Sequence, residues 1–115
     1  DVGSMYWMPR LLSGGLASFC ALTGHRMNAS DLLYTGVATH FVPSDKLDEL
    51  ETALVQATNE TEDDSATKDD VVAPVLMSFH DPPSDIGFLE KNRALIDSAF
   101  DNNTKRVEDI LAKLP

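Results

Sequence analysis

DVGSMYWMPRLLSGGLASFCALTGHRMNASDLLYTGVATHFVPSDKL, residues 1–47, carries the densest run of structural signals in the 115-residue sequence. Within residues 16–22, Leu16, Phe19, Cys20 and Leu22 recur at helical spacing, which predicts one buried helical face. Thr23-Gly24 supplies the stop, because glycine accepts the left-handed conformation that closes a helix. Upstream, apolar side chains in residues 5–12 crowd around Pro9 and Arg10, predicting a short helix bent or ended near the proline. Gly14-Gly15 separates the two helices. Downstream, Asn28 stands three residues before Asp31, an N-cap arrangement for a helix over 31–35 that Gly36 ends. Residues 39–42 (THFV) combine β-branched and aromatic side chains ahead of Pro43 and form the one good strand candidate.

The remainder reads as further helices. Ser44 is placed to cap a helix over 45–57, where Leu47, Leu50, Leu54 and Ala57 share a face. Residues 59–70 (NETEDDSATKDD) set six acids against Lys68 alone and read as a solvated linker. A helix over 71–77 is expected to tolerate Pro74 in its first turn. His80-Asp81-Pro82-Pro83-Ser84-Asp85 breaks the pattern, a helix over 89–100 comes next with Ile96 and Phe100 as anchors, and Thr104 caps a last one. In that last helix Val107, Ile110, Leu111 and Leu114 form an apolar stripe. The chain thus divides into 1–57, an acidic linker at 58–70 and a helical region at 71–115. It is mainly α-helical with one short strand, and a lone strand leaves backbone groups unpaired, so its partners are expected outside this chain or from a second copy.

Bulk properties narrow the function. At 43% hydrophobic and 24% charged residues the chain is ordinary for a globular domain. At this length folding buries somewhat under ~70% of the unfolded surface, enough for a core without staples. Cys20 stands alone, so no intrachain disulfide forms. A net charge of −10 argues against a nucleic-acid partner, whose phosphates need Lys and Arg. The apolar runs at 11–22 and 32–42 are interrupted well short of the ~20 residues that span a bilayer. The sequons at Asn28, Asn59 and Asn102 matter only for a secreted protein. The sequence opens on Asp1-Val2-Gly3 without an initiator Met or targeting pattern, so the chain is expected to be cut from something longer.

Four linked motifs, Met8-Pro9-Arg10-Leu11, Ala21-Leu22-Thr23-Gly24, Thr35-Gly36-Val37-Ala38-Thr39-His40 and Phe41-Val42-Pro43, resemble in order and spacing the crotonase (enoyl-CoA hydratase/isomerase) superfamily. The Asp1-Val2-Gly3 opening together with Ala38-Thr39-His40-Phe41-Val42 narrows the likeness to its 3-hydroxyisobutyryl-CoA hydrolase branch. Val75-Leu76, Phe79-His80, Phe88-Leu89-Glu90 and the closing helix resemble the C-terminal region of the same hydrolases. The resemblance implies an α/β crotonase-type parent, mitochondrial and active in valine catabolism, of which this chain is the C-terminal portion. In that family the N-terminal half supplies the strands, the oxyanion-hole amides and a catalytic glutamate, none of which is here. The family's Asp-Val-Gly-Gly-Gly turn is altered to Asp1-Val2-Gly3-Ser4-Met5, which restricts the backbone and bears on the shape of the substrate pocket.

Thioester hydrolysis needs a polarised carbonyl, an activated water or carboxylate nucleophile, and oxyanion donors worth ~2.7–4 kcal/mol each. By resemblance, Asp1 matches the active-site carboxylate that faces the substrate's 3-hydroxyl beside the upstream glutamate, and two acids in different environments can divide base and orienting roles. Asp1 is the one catalytic candidate; acyl-CoA is substrate, and no cofactor is implied. The fragment alone is expected to be inactive and to expose an apolar face that favours self-association. Cys20 lies on an apolar helical face and reads as a core thiol. His25, His40 and His80 lack metal-ligand spacing with one another or with Cys20. His40 is expected to make a structural hydrogen bond, Tyr6 and Trp7 to pack in the core, and Gly14-Gly15 to connect helices. The rival readings are an enoyl-CoA hydratase or isomerase, and a non-catalytic assembly subunit of the same fold.

Overall fold

The structure is a computed structural model that describes residues 2–60, 68–101 and 105–115, Lys68 by its backbone alone. Asp1, most of the acidic stretch and the expected cap Thr104 lie outside the described residues. Two compact units form along the chain, one from the residues up to Thr39 together with Ser84–Pro115, the other from His40–Pro83.

The first unit holds α1 (Ser4–Leu11), α2 (Leu16–Thr23), α3 (Ala29–Thr35), α6 (Phe88–Lys91), α7 (Arg93–Ala99) and α8 (Val107–Lys113). Helix α1 runs through Pro9 and ends two residues later, where the Leu12 N–H donates to Met8 O. Helix α2 stops at Gly24, whose φ of 67° is the left-handed closure read from Thr23-Gly24. The core is Leu12, Leu16, Ala17 and Cys20 from the first helical pair, packed on Leu89, Ile96, Ala99, Phe100 and Ile110. Leu12, Leu16 and Leu89 are at most 2% exposed, and such side chains contribute ~1.5–3 kcal/mol each on burial. The expected face of α2 is only partly the buried one: Leu16 and Cys20 are buried, Phe19 packs against the core, and Leu22 is exposed. In α8, Ile110 alone of the stripe is buried; Val107, Leu111 and Leu114 face outward. The helix expected over 89–100 is two helices, with Asn92 between them.

Gly15 explains how closely α2 approaches α7. A Cβ there would lie 2.8 Å from Ile96 O and 2.9 Å from Phe100 O, both backbone atoms that cannot step aside.

The second unit pairs α4 (Leu47–Glu60) with α5 (Lys68–Phe79), entered through a 3₁₀ turn at Ser44–Lys46. Leu50, Leu54 and Ala57 are half-buried as their spacing predicts, and Val71, Val75 and Leu76 are half-buried on α5. Leu47 is exposed. Ser44 does not cap α4 with its side chain; it opens the 3₁₀ turn, and its carbonyl accepts from Leu47 N–H. Helix α5 begins three residues earlier than the pattern at 71–77 indicates, which puts Pro74 inside it rather than in its first turn.

Among the described residues there is no strand. Residues 39–42 form no sheet pairing, and the physical reason is visible at Phe41. Its N–H donates to a side chain, His80 Nδ1, at 2.9 Å, and its carbonyl accepts from Asp81 N–H at 2.9 Å. β-Branched composition favours an extended backbone but supplies no partner strand, and here the backbone groups are satisfied without one. No helix among the described residues is long and apolar enough to cross a membrane.

Candidate functional site

Asp1, the catalytic candidate, lies outside the described residues, and the site is built from the turn and helices next to it in the chain. Gly3 has a φ of 94° and precedes α1, where its carbonyl accepts from Tyr6 N–H at 2.9 Å and Trp7 N–H at 3.3 Å. This turn hands the Asp-Val-Gly motif directly to a helix that has no buried residue. Tyr6 and Trp7 are 67% and 42% exposed, so they do not pack in the core. Tyr6 instead carries the Arg10 guanidinium over its ring at 3.7 Å, and Arg10 also donates to the Tyr6 carbonyl. Between α1 and α2 lies a largely apolar groove of about 330 Å³ lined by residues that include Met5, Pro9, Leu12, Ala17, Ala21 and Leu22.

Among the described residues, the least exposed polar side chain is one that the sequence presents only as a local cap. Asp31 is 1% exposed. Its Oδ2 accepts from Asn28 N–H at 3.4 Å while Asn28 Oδ1 accepts from Asp31 N–H at 2.9 Å, which closes a reciprocal capping box on α3. The same Oδ2 lies 3.2 Å from His25 Nε2. Its Oδ1 accepts the Leu89 N–H at 2.9 Å, an amide in the first turn of α6. One carboxylate therefore caps two helices that are distant in sequence. Gly87 makes the approach possible, since a Cβ there would sit 2.4 Å from Asp31 Oδ1. His25 is held in place by rings, its centroid 4.9 Å from Phe88 and 5.5 Å from Phe19. With three donors on its two oxygens, Asp31 is committed to positioning and is a poor candidate for a general base.

Asp97 repeats the device between α2 and α7. Its Oδ1 accepts the Gly15 N–H at the start of α2 at 2.9 Å, and its Oδ2 accepts from Arg93 Nε at 2.7 Å. Arg93 also donates to Ser13 Oγ at 2.9 Å and to the Tyr34 hydroxyl at 3.1 Å. Partial burial works to raise the Asp97 carboxyl, but the Gly15 amide and the Arg93 guanidinium outweigh it and hold the group below the usual carboxylate range. Arg93 is lifted above its ordinary value, first by the bond to Asp97 and then by Tyr34. No local signal announces either long-range bond.

Cys20 is buried, as its place on the apolar face of α2 implies. Burial pushes its thiol up from the ordinary 9.0, and the nearby Asp31 charge adds to this, which is the opposite of an activated nucleophile. His40 stacks edge to face on His80 with centroids 5.4 Å apart, and His80 bonds the Phe41 amide of the 39–42 segment. Among the described residues no group of three or more His, Cys, Asp and Glu is arranged to hold a metal.

The chain is a member of the enoyl-CoA hydratase/isomerase family, whose pattern it matches over residues 1–115. Within that family it is similar to proteins named 3-hydroxyisobutyryl-CoA hydrolase, mitochondrial. It is 39% identical over 114 residues to the one from Xenopus laevis, 40% over 119 residues to that of Rattus norvegicus and 38% over 118 residues to that of Homo sapiens. Each alignment covers 99% of this chain and 28% of the relative, so the chain spans a little over a quarter of the length of these curated relatives. No solved structure matches the chain.

Proposed function

We propose that the protein carrying this sequence is a mitochondrial acyl-CoA thioester hydrolase that converts 3-hydroxyisobutyryl-CoA and water to 3-hydroxyisobutyrate and free CoA. The observation that carries this reading is the near-complete alignment of the chain, 99% of it at 38–40% identity, with hydrolases so named from several vertebrates. In this reading Asp1 is the carboxylate that faces the substrate's 3-hydroxyl. Water attacks the thioester carbonyl, the carbon–sulfur bond breaks, and the thiolate leaves with a proton as CoA. The amides that receive the oxyanion and the partner glutamate belong to sequence outside these 115 residues, so the chain by itself binds no complete transition state and is inactive alone. The part assigned to this chain is architectural: α1 carries the Asp-Val-Gly turn, and the Asp31 and Asp97 caps hold the helices behind it.

Release of free CoA from 3-hydroxyisobutyryl-CoA by the intact natural protein, measured beside its Asp1→Asn variant, tests the proposal. Turnover that collapses in the variant supports it; no release from folded protein sinks it.

A further inference from the structure

We propose that the α4–α5 unit is closed at its root by a pH-sensitive clasp, in which the unprotonated Nδ1 of His80 holds the Phe41 amide. The unit begins at His40 and ends at Pro83, so Phe41 lies on its entering chain and His80 and Asp81 on its leaving chain. Both backbone groups of Phe41 are committed across this gap. Its N–H donates to His80 Nδ1 at 2.9 Å, and its carbonyl accepts from Asp81 N–H at 2.9 Å. No strand pairing supports the junction among the described residues; beside the packing of α4 on α5, these two bonds and the contact of the His40 and His80 rings bridge it. An imidazole nitrogen that accepts a hydrogen bond carries no proton, so the ring is the neutral Nε2–H tautomer while the clasp stands. A proton on Nδ1 turns the acceptor into a donor aimed at another donor. The Phe41 amide then loses its acceptor in a half-buried place, where such a loss is costly.

The charged and titratable neighbours of the clasp come from each element around it. His40 faces His80 from the entering chain with ring centroids 5.4 Å apart, and a charge on both rings sets like against like. The cleft beside His80 is lined by Asp45 and Lys46 of the 3₁₀ turn, Glu49 of α4 and Asp81 of the leaving chain, with Lys46 tied to Glu49 at 3.0 Å. Between about pH 5 and 8, histidine is the one side-chain type among these that changes charge by its nature. Pro82 and Pro83 come directly after Asp81 and fix the direction of the leaving chain. The clasp is independent of the proposed hydrolysis and stands or falls without it.

The test is hydrogen exchange by mass spectrometry on the intact natural protein, read at the Phe41 amide and normalised to intrinsic exchange at each pH, with exchange at the imidazole C2 position reporting each histidine's own titration. Protection at Phe41 is expected to fall about fivefold or more between roughly pH 8 and roughly pH 5.5. In His80→Asn, whose side-chain oxygen accepts the same bond without titrating, protection should be independent of pH, and in His40→Asn the fall should persist. Protection that stays constant while His80 titrates overturns the clasp. So does a fall in His80→Asn equal to that of the natural protein, or its disappearance in His40→Asn. If His80→Asn does not fold, the unsubstituted protein decides: the loss must track the His80 titration curve and not that of His40.

Discussion

Asp31 and Leu89 are 58 positions apart in the chain and are joined by one bond, the Leu89 N–H donating to Asp31 Oδ1 at 2.9 Å. That oxygen is the far side of a carboxylate already closing the capping box of its own helix. Local helix chemistry and long-range assembly are thereby placed on a single side chain. Asp31→Ala leaves the buried Leu89 amide without its acceptor and removes the part-buried bond from the Asn28 amide, and is expected to cost ~2–4 kcal/mol. Asp31→Asn, which keeps one acceptor oxygen, is expected to cost ~1–2 kcal/mol. Urea unfolding of the intact protein measures both; an alanine variant within ~0.5 kcal/mol of the natural protein would refute the double-cap assignment.

The glycines rank by what stands opposite them. Gly15→Ala drives a Cβ to within 2.8 Å of the Ile96 carbonyl oxygen and 2.9 Å of that of Phe100, whereas Gly24 faces open space and carries only its φ of 67°. Gly24→Ala should therefore cost ~1–2 kcal/mol, the penalty of left-handed backbone alone. Gly15→Ala should cost more than that, because two backbone segments must part. Thermal denaturation of the pair in parallel gives the order, and equal losses would contradict the close α2–α7 approach.

Two titrations have opposite signs. The Asp97 carboxyl is held below its ordinary 3.8, against the effect of burial, by the Gly15 amide and Arg93. Its contribution is present above pH 3.8 and is lost as pH falls through the lower folded value. The stability gap between the natural protein and Asp97→Asn should thus be flat at neutral pH and close only on strong acidification. Buried Cys20 is raised above 9.0, so stability that is full below pH 9.0 declines as pH rises toward the folded value. Cys20→Ala should remove that alkaline slope while adding a pH-independent cavity cost of ~1 kcal/mol. Urea midpoints collected across pH check both; an Asp97→Asn gap that widens in acid would reverse the first sign.

Helix α1 has no buried residue, and Met5 and Leu22, which line the apolar groove, are each at least 60% exposed. A patch of this kind invites association. Expressed alone, the 115-residue chain is expected to sediment as a concentration-dependent oligomer at micromolar levels, and Met5→Lys with Leu22→Lys should shift it toward monomer. A monomer at every concentration, with or without the lysines, would speak against the patch.

How far the sequence can be read depends on the range of the interactions. Thr23-Gly24, the Asn28–Asp31 cap and the spacing of Leu50, Leu54 and Ala57 are contacts within a few residues, and each appears as expected. The bonds from Asp31 to Leu89 and from Asp97 to Gly15 join residues 58 and 82 apart, and no neighbouring residue announces them. Residues 39–42 have the composition of a strand, but strand identity belongs to a pair, and Phe41 meets a histidine ring instead. Tyr6 and Trp7 are large enough for a core, although size does not say which surface will cover them. Asp1, the candidate that comes with the family likeness, lies outside the described residues and is reached only by the activity test.

The whole of the α4–α5 unit, residues 40–83, lies within the span that the Asp31–Leu89 bond closes. Closing a longer loop costs only ~0.6 kcal/mol for each doubling of its length, so the bond is nearly indifferent to how many residues intervene. The acidic stretch can therefore grow, shrink or accept an inserted tag with little loss of stability in the first unit. Relatives of differing length between these two residues remain compatible with one and the same helical core.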